Sequence, residues 1–230
     1  MRPSHIIEYG LTNRSVQLFV EDFALVSESA PSKERLLHEA TRLVQERGFG
    51  ATSISDLLAA VGLKKGSLYF HFTSKRELGL SVLERARAQF AEFRRAALVG
   101  ETPEAQLHHF FGAVLSAHRQ SGFVGGCLWG NTALEMSDTD AEYARFVAGV
   151  FDEWIAQIEA VIAAGQAEGQ FRADVPACDM ALHVVSGIEG GIMQSRLRKS
   201  EEPLRSVLDS LEALLKPLSP KTICANEGAS

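Results

Sequence analysis

The 230-residue chain is 46% hydrophobic and 23% charged, the length of one large or two smaller domains and the composition of an ordinary soluble globule. Cys127, Cys178 and Cys224 are odd in number and widely spaced without a CxxC, which argues against a disulfide framework or a zinc site and fits a reducing cytoplasm. No uncharged apolar run reaches the ~18 residues of a membrane span, and the first 30 residues, with Glu8, Glu21, Asp22 and Glu28, do not read as a signal peptide.

The net charge of −6 hides an asymmetry. Between Pro31 and Arg95 there are 12 Lys and Arg against 7 Asp and Glu, which leaves 11 basic and 22 acidic residues elsewhere. A basic segment on an acidic body is the pattern of a nucleic-acid-facing module.

Residues 1–31 show no sustained period and read as a flexible extension. Leu36, Ala40, Leu43 and Val44 form a helical stripe that Gly48 ends. Ser53 caps a short helix with Asp56 three residues on, and Gly62 breaks it. A third short helix runs from about Gly66 to Phe72. Ser74 and Glu77 then form a capping box that opens a long helix striped by Leu78, Val82, Ala86, Phe90 and Phe93. Thr102 and Pro103 start the next. Glycines at 122, 125, 126 and 130 interrupt the pattern around Cys127 and Trp129. Val147, Val150, Phe151, Trp154, Ile158 and Val161 mark an amphipathic helix, and two more follow, at about 176–199 and 201–215. The tail from 217 to 230 is expected to fray. With no alternating strand signal, the fold class is all-α, with about nine helices.

The informative stretch is TSISDLLAAVGLKKGSLYFHFTSK, from Thr52 to Lys75. Helix, three- to four-residue turn and short helix is helix-turn-helix spacing, in which the second helix enters a major groove. Leu57, Leu58, Val61, Leu63, Leu68 and Phe72 supply the contacts between the two helices. Lys64 and Lys65 bring charge to phosphates, Gly66 permits close backbone approach, and Ser67, Tyr69 and His71 offer polar groups to phosphates or base edges. Tyr69, Phe70, His71 and Phe72 are consecutive, so on a 3.6-residue period they cannot all point inward.

The run RGFGATSISDLLAAVGLKKGSLYFHFTSKREL, within Ser32 to about Leu83, resembles the N-terminal domain of TetR/AcrR-type repressors. The resemblance implies an all-α homodimer with a helix-turn-helix domain at 32–78 and a ligand-binding and dimerisation domain at 79–216. It implies a transcriptional repressor that binds a palindromic operator in double-stranded DNA and is released by a small-molecule inducer. It assigns phosphate contacts to Thr52, Ser53 and Lys75, and recognition-helix contacts to Lys65, Gly66, Ser67, Tyr69 and His71. Lys64 stands where the family often has Ser, which adds phosphate affinity. Phe70 stands where it often has Tyr, which removes a hydroxyl.

The C-terminal half is less explicit. Phe110, Phe111, Trp129, Phe151, Trp154 and Met193 are candidates to line a cavity, with His183 and Glu189 as polar anchors. Val184, Ile188 and Ile192, with Val207, Leu211 and Leu214, are the expected dimer seam, as the resemblance implies. Cys127 is either a small hydrophobe in the cavity wall or a thiolate sensor of oxidants or alkylating agents. The sensor needs a helix N-terminus after Gly126, or a cation from Arg196, Arg198 or Lys199, to lower its pKa.

An enzyme or a protein adaptor are the competing classes. Neither a Ser-His-Asp arrangement, an HExxH nor a phosphate-cradling glycine loop is present, and His108–His109 point about 100° apart on a helix. Neither a metal nor a cofactor nor a membrane partner is expected.

Overall fold

The computed structural model describes residues 31–218, so the N-terminal extension, apart from Pro31, and most of the expected tail lie outside the described residues. Nine helices make up the described chain: α1 (Ser32–Arg47), α2 (Ile54–Val61), α3 (Lys65–His71), α4 (Lys75–Ala97), α5 (Pro103–Gln120), α6 (Leu128–Met136), α7 (Ala141–Ala167), α8 (Ala177–Arg198) and α9 (Glu202–Leu215). The fold class is all-α, and no strand occurs among the described residues.

Local chemistry starts and stops the helices. Ser53 Oγ accepts the Asp56 N–H at 3.0 Å, and Asp56 Oδ2 accepts the Ser53 N–H at 3.2 Å, a complete capping box for α2. Ser74 Oγ caps α4 through the Glu77 N–H at 3.1 Å. Glu77 reaches one residue further back than a capping box requires, and accepts the Thr73 N–H at 2.7 Å. Thr102 caps α5 with Pro103 in its first turn. The turn after α2 is left-handed at Gly62, where φ is +66°.

Three apolar clusters lie along α4. Leu78 and Val82 pack with Leu36, Leu43, Leu57, Leu68 and Phe72 in a core that fixes α1, α2 and α3. Leu83 and Ala86 join Val44, Phe49, Leu128, Trp129 and Tyr143 in a middle cluster. Phe93 and Ala97 enter the large core of α5, α7, α8 and α9. The boundary expected between 78 and 79 therefore falls inside one continuous helix that belongs to both halves.

The expected dimer seam is corrected here. Val184, Ile188, Ile192 and Leu211 are buried within this chain, packed into the large core. Only Val207, half-buried, and Leu214, exposed, reach the surface. Helix α8 is apolar on both sides, and its inward stripe is the more regular in sequence. The outer stripe is Leu182, Ser186, Gly190, Met193 and Leu197, at spacings of three and four residues. No helix among the described residues is long and apolar enough to cross a membrane.

Candidate functional site

The helix-turn-helix presents a compact surface. Leu68 and Phe72 are buried and seat α3 on the first core. Lys64, Lys65 and Gly66 are exposed at its start. Tyr69 and Phe70 are exposed as well, Phe70 at 84%. Its ring meets the His71 ring edge-on, 5.0 Å between centres, and otherwise stands in water. The Lys65 ammonium lies 5.7 Å from the centre of the Tyr69 ring, so a charge and an aromatic hydroxyl stand side by side. A Cβ on Gly66 would meet nothing within 4 Å, so the chain's own packing does not call for glycine there.

Other expected contact residues are engaged within the chain. Thr52 is buried and donates its hydroxyl to Gly48 O at 2.7 Å, which corrects its assignment as a surface phosphate contact. The Ser53 hydroxyl is used as the α2 cap. The His71 ring nitrogen Nε2 lies 2.7 Å from Ser32 Oγ, tying α3 to the start of α1. Lys75 Nζ donates to Phe49 O at 2.6 Å, although the residue remains exposed. Ser67 is half-buried.

Behind this unit lies a cavity of about 480 Å3. Phe90 and Phe93 of α4, Val114 and His118 of α5, Trp129 of α6, Trp154 of α7, and Ile188 and Ile192 of α8 contribute its walls. Cys127, Trp129 and Trp154 are the members of the expected pocket found on this wall. Phe110 and Phe111 are fully buried in the large core without lining the cavity, and Phe151 packs half-buried beside Trp154. His183 and Met193 are exposed on the outer face of α8, which removes both from the pocket. Ile188 and Ile192, expected in the dimer seam, line the cavity instead. His118 escaped sequence reasoning, although a polar ring on an otherwise apolar helix face was the available signal. Burial lowers its pKa to about 4, so the ring is neutral at neutral pH.

Arg42, Gln45 and Glu46 also line the cavity, and they belong to α1, the first helix of the helix-turn-helix unit. Polar contacts tie this border together. Gln45 Nε2 donates to Gly126 O at 3.2 Å. Asn131 Nδ2 donates to Gly125 O at 2.6 Å, and Arg196 donates to Asn131 Oδ1 at 2.9 Å. Glu135 of α6 accepts the N–H groups of Phe49 and Gly50 in the loop after α1. The short helix α6 thus forms cavity wall on one side and grips the DNA-facing unit on the other.

Cys127 sits at the N-cap of α6, the helix start that the sensor reading needed. Its thiol is nonetheless pushed well above the ordinary range, first by burial and then by the charge and hydrogen bond of Glu189. Arg196 does fold back to this region, but its guanidinium serves Asn131 rather than the sulfur. Glu189 is raised in turn to about 7 by burial, against the opposing hydrogen bond from Cys127. Its Oε1 is sealed from solvent without a partner. The thiol is held protonated, which favours the small hydrophobe in the cavity wall over the thiolate sensor.

Comparison with known proteins matches both halves. Residues 36–82 match the family described as bacterial regulatory proteins, tetR family, and residues 103–211 match the tetracyclin repressor-like C-terminal domain. The HTH-type transcriptional repressor DhaR of Mycobacterium sp. (strain GP1) is 27% identical over 188 residues, spanning 80% of this chain and 93% of DhaR. The crystal structure of a regulatory protein TetR from Rhodobacter sphaeroides superposes with a TM-score of 0.77 at 25% identity, over 81% of this chain and all of that one. A TetR transcriptional regulator from Chloroflexus aurantiacus gives a TM-score of 0.73 at 32% identity, over 79% and 92%.

Proposed function

The chain belongs to the TetR family of transcriptional regulators, and on that premise we propose that it represses transcription as a homodimer on a palindromic operator and lets go when a small molecule fills the cavity. The observation that carries this reading is the shared border. Arg42, Gln45 and Glu46 are at once part of the DNA-facing unit and part of the cavity wall. A ligand that displaces them changes the orientation of α1, and with it of α2 and α3, which share its core. Differential contact of this kind is what a ligand needs to shift an equilibrium between two states.

Lys64, Lys65, Gly66, Tyr69 and Phe70 form the proposed groove-facing surface. Ser53, Ser67, His71 and Lys75 flank it, each already oriented by contacts within the chain or half-buried. One short recognition helix reads too few base pairs for specificity, so two copies related by a two-fold axis are needed. The outer stripe of α8, with Val207 and Leu214 of α9, is the proposed seam between them. Family membership supports that choice, as does the run of apolar and small residues facing solvent there. The protonated Cys127 and its Glu189 partner favour a non-covalent inducer over capture at sulfur.

The test is to sequence genomic fragments retained by the purified full-length protein. A palindromic consensus, bound more weakly as salt rises, is the expected result. Retention without a consensus, or without salt dependence, would overturn the reading.

A further inference from the structure

We infer that the cavity takes an uncharged, largely apolar molecule carrying one hydrogen-bonding oxygen, which is received by the His118 ring. This rests on the reading of the cavity as the effector site and adds the chemistry of what enters it. Three observations lead there.

The first is the wall. Phe90, Phe93, Val114, Trp129, Ile188 and Ile192 surround the volume with aromatic and branched aliphatic surface. Burial of apolar ligand area is therefore the main attraction on offer.

The second is an unanswered polar group on that wall, the His118 ring. Trp154 Nε1 is sealed from solvent, so it faces packed core rather than the void. The His118 ring makes no hydrogen bond among the described residues, and being neutral it offers one N–H and one lone pair. A buried donor without an acceptor is costly, and a ligand oxygen relieves that cost.

The third is the state of the charges. Arg42, the cation on the wall, is committed to Glu39 at 2.5 Å and Glu46 at 2.7 Å. Arg94 lies behind the wall, over the Phe90 ring and 3.5 Å from Glu153. Neither Arg94 nor Arg196 lines the cavity, and Arg42 is already paired, so a carboxylate inside meets no unpaired cation on the wall. On the other side, burial disfavours the anionic form of Glu189, and its hydrogen bond joins it to Cys127. Glu46 shares Arg42 with Glu39, so an ammonium inside would meet no unpaired carboxylate on the wall. A charged ligand would leave water without a partner to replace it, whereas a ketone, ester or alcohol would not.

The chain has two tryptophans, Trp129 and Trp154, and both line the cavity, so intrinsic fluorescence reports its occupancy. The experiment titrates the full-length protein at neutral pH with 2-nonanone, nonanoate and nonylammonium, three nine-carbon probes that differ in charge. The ketone is expected to change the emission saturably, with each ion at least about tenfold weaker. His118→Phe, read through the two tryptophans, should weaken the ketone about fivefold, the loss of one hydrogen bond. Equal or tighter binding of either ion would overturn the inference. So would a ketone that does not bind, or one whose affinity His118→Phe leaves unchanged in a protein of wild-type helicity. Release of operator DNA is measured separately. Ketone binding with the DNA complex left intact removes the effector role and leaves the ligand class standing. An intact salt-dependent DNA complex with no ketone binding does the reverse.

Discussion

Glu135 accepts the backbone N–H of Phe49 at 2.9 Å, across 86 residues of sequence. Its other oxygen accepts the Gly50 N–H at 2.5 Å, so a single carboxylate caps the loop that leaves α1. Gly48 makes room for it. A Cβ there would come within 2.6 Å of Glu135 Oε2, and the residue sits at a φ of +87°. Contact between the cavity wall and the DNA-facing unit thus depends on a glycine and a glutamate from opposite halves of the chain.

Glu135→Ala should therefore lower stability by about 1–3 kcal/mol, the cost of leaving backbone donors near the core unpaired. Gly48→Ala should cost at least about 1 kcal/mol through its backbone conformation alone. Both should also weaken operator binding, because the loop they hold leads into α2. Urea unfolding and fluorescence anisotropy on operator DNA measure the two effects. Wild-type DNA affinity in a destabilised Glu135→Ala would separate the carboxylate from any role in coupling.

The lysines of the DNA-facing surface should fall into two classes. Lys65 is exposed, and among the described residues its ammonium meets only the Tyr69 ring face. Lys65→Ala should lower the slope of log affinity against log salt by about one unit, with little change in stability. Lys75 donates to Phe49 O within the chain. Lys75→Ala should lose DNA affinity and stability together, the latter by about 1 kcal/mol. Phe70→Ala should change stability by less than about 0.5 kcal/mol because the ring is in water, while reducing operator affinity. Binding over a salt series, paired with thermal unfolding, distinguishes these outcomes.

The helix order and the exposed face of α3 were legible because their signals are local. Caps at Ser53, Ser74 and Thr102 and breaks at Gly48 and Gly62 depend on neighbours within a few residues. Four consecutive residues from Tyr69 to Phe72 force some outward whatever the fold. The cavity was harder to read. Aromatic residues on α5 and α7 look alike in sequence whether they face the void, as Trp154 does, or solid core, as Phe110 and Phe111 do. The α8 stripe was misread for a related reason: Val184, Ile188 and Ile192 are the more hydrophobic set, and hydrophobicity marks burial without saying against what. Glu135, Asn131 and Arg196 gave no sign of their partners, which lie in α1 and the loops flanking it.

Two buried groups give stability a pH dependence of opposite sign. Burial lowers His118 from 6.5 to about 4, so the unfolded chain binds the extra proton first. Its contribution is present above pH 6.5 and is lost as pH falls toward about 4. Burial raises Glu189 from 4.5 to about 7, so the folded chain holds the extra proton. Its contribution is present below pH 4.5 and is lost as pH rises toward about 7. Between pH 4.5 and 6.5 the two slopes oppose each other and partly cancel. Glu189→Gln should remove the loss on the alkaline side and raise stability above pH 7 relative to wild type. His118→Phe should flatten the acid side. Urea midpoints from pH 4 to 8 read both, and a Glu189→Gln curve parallel to wild type would show that this carboxyl titrates normally.

Leu197 and Leu211 separate the two faces of the C-terminal helices. Leu197 is 75% exposed on the outer stripe of α8, and Leu211 is 3% exposed in the core beneath α9. A charge at either position has a different consequence. Leu197→Glu leaves every internal contact in place and puts a carboxylate into the proposed seam. On the proposed two-fold axis its twin from the second copy would lie near it, so repulsion would add to the cost of desolvation. The expected product is a folded monomer of wild-type helicity whose operator affinity is strongly reduced, since one recognition helix remains per molecule. Leu211→Glu buries a carboxylate among Val184, Ile188 and Leu208 with no partner, and the expected product is unfolded or aggregated. Sedimentation velocity and circular dichroism together distinguish the two. A Leu197→Glu protein that stays dimeric and binds DNA normally would move the seam away from the outer face of α8.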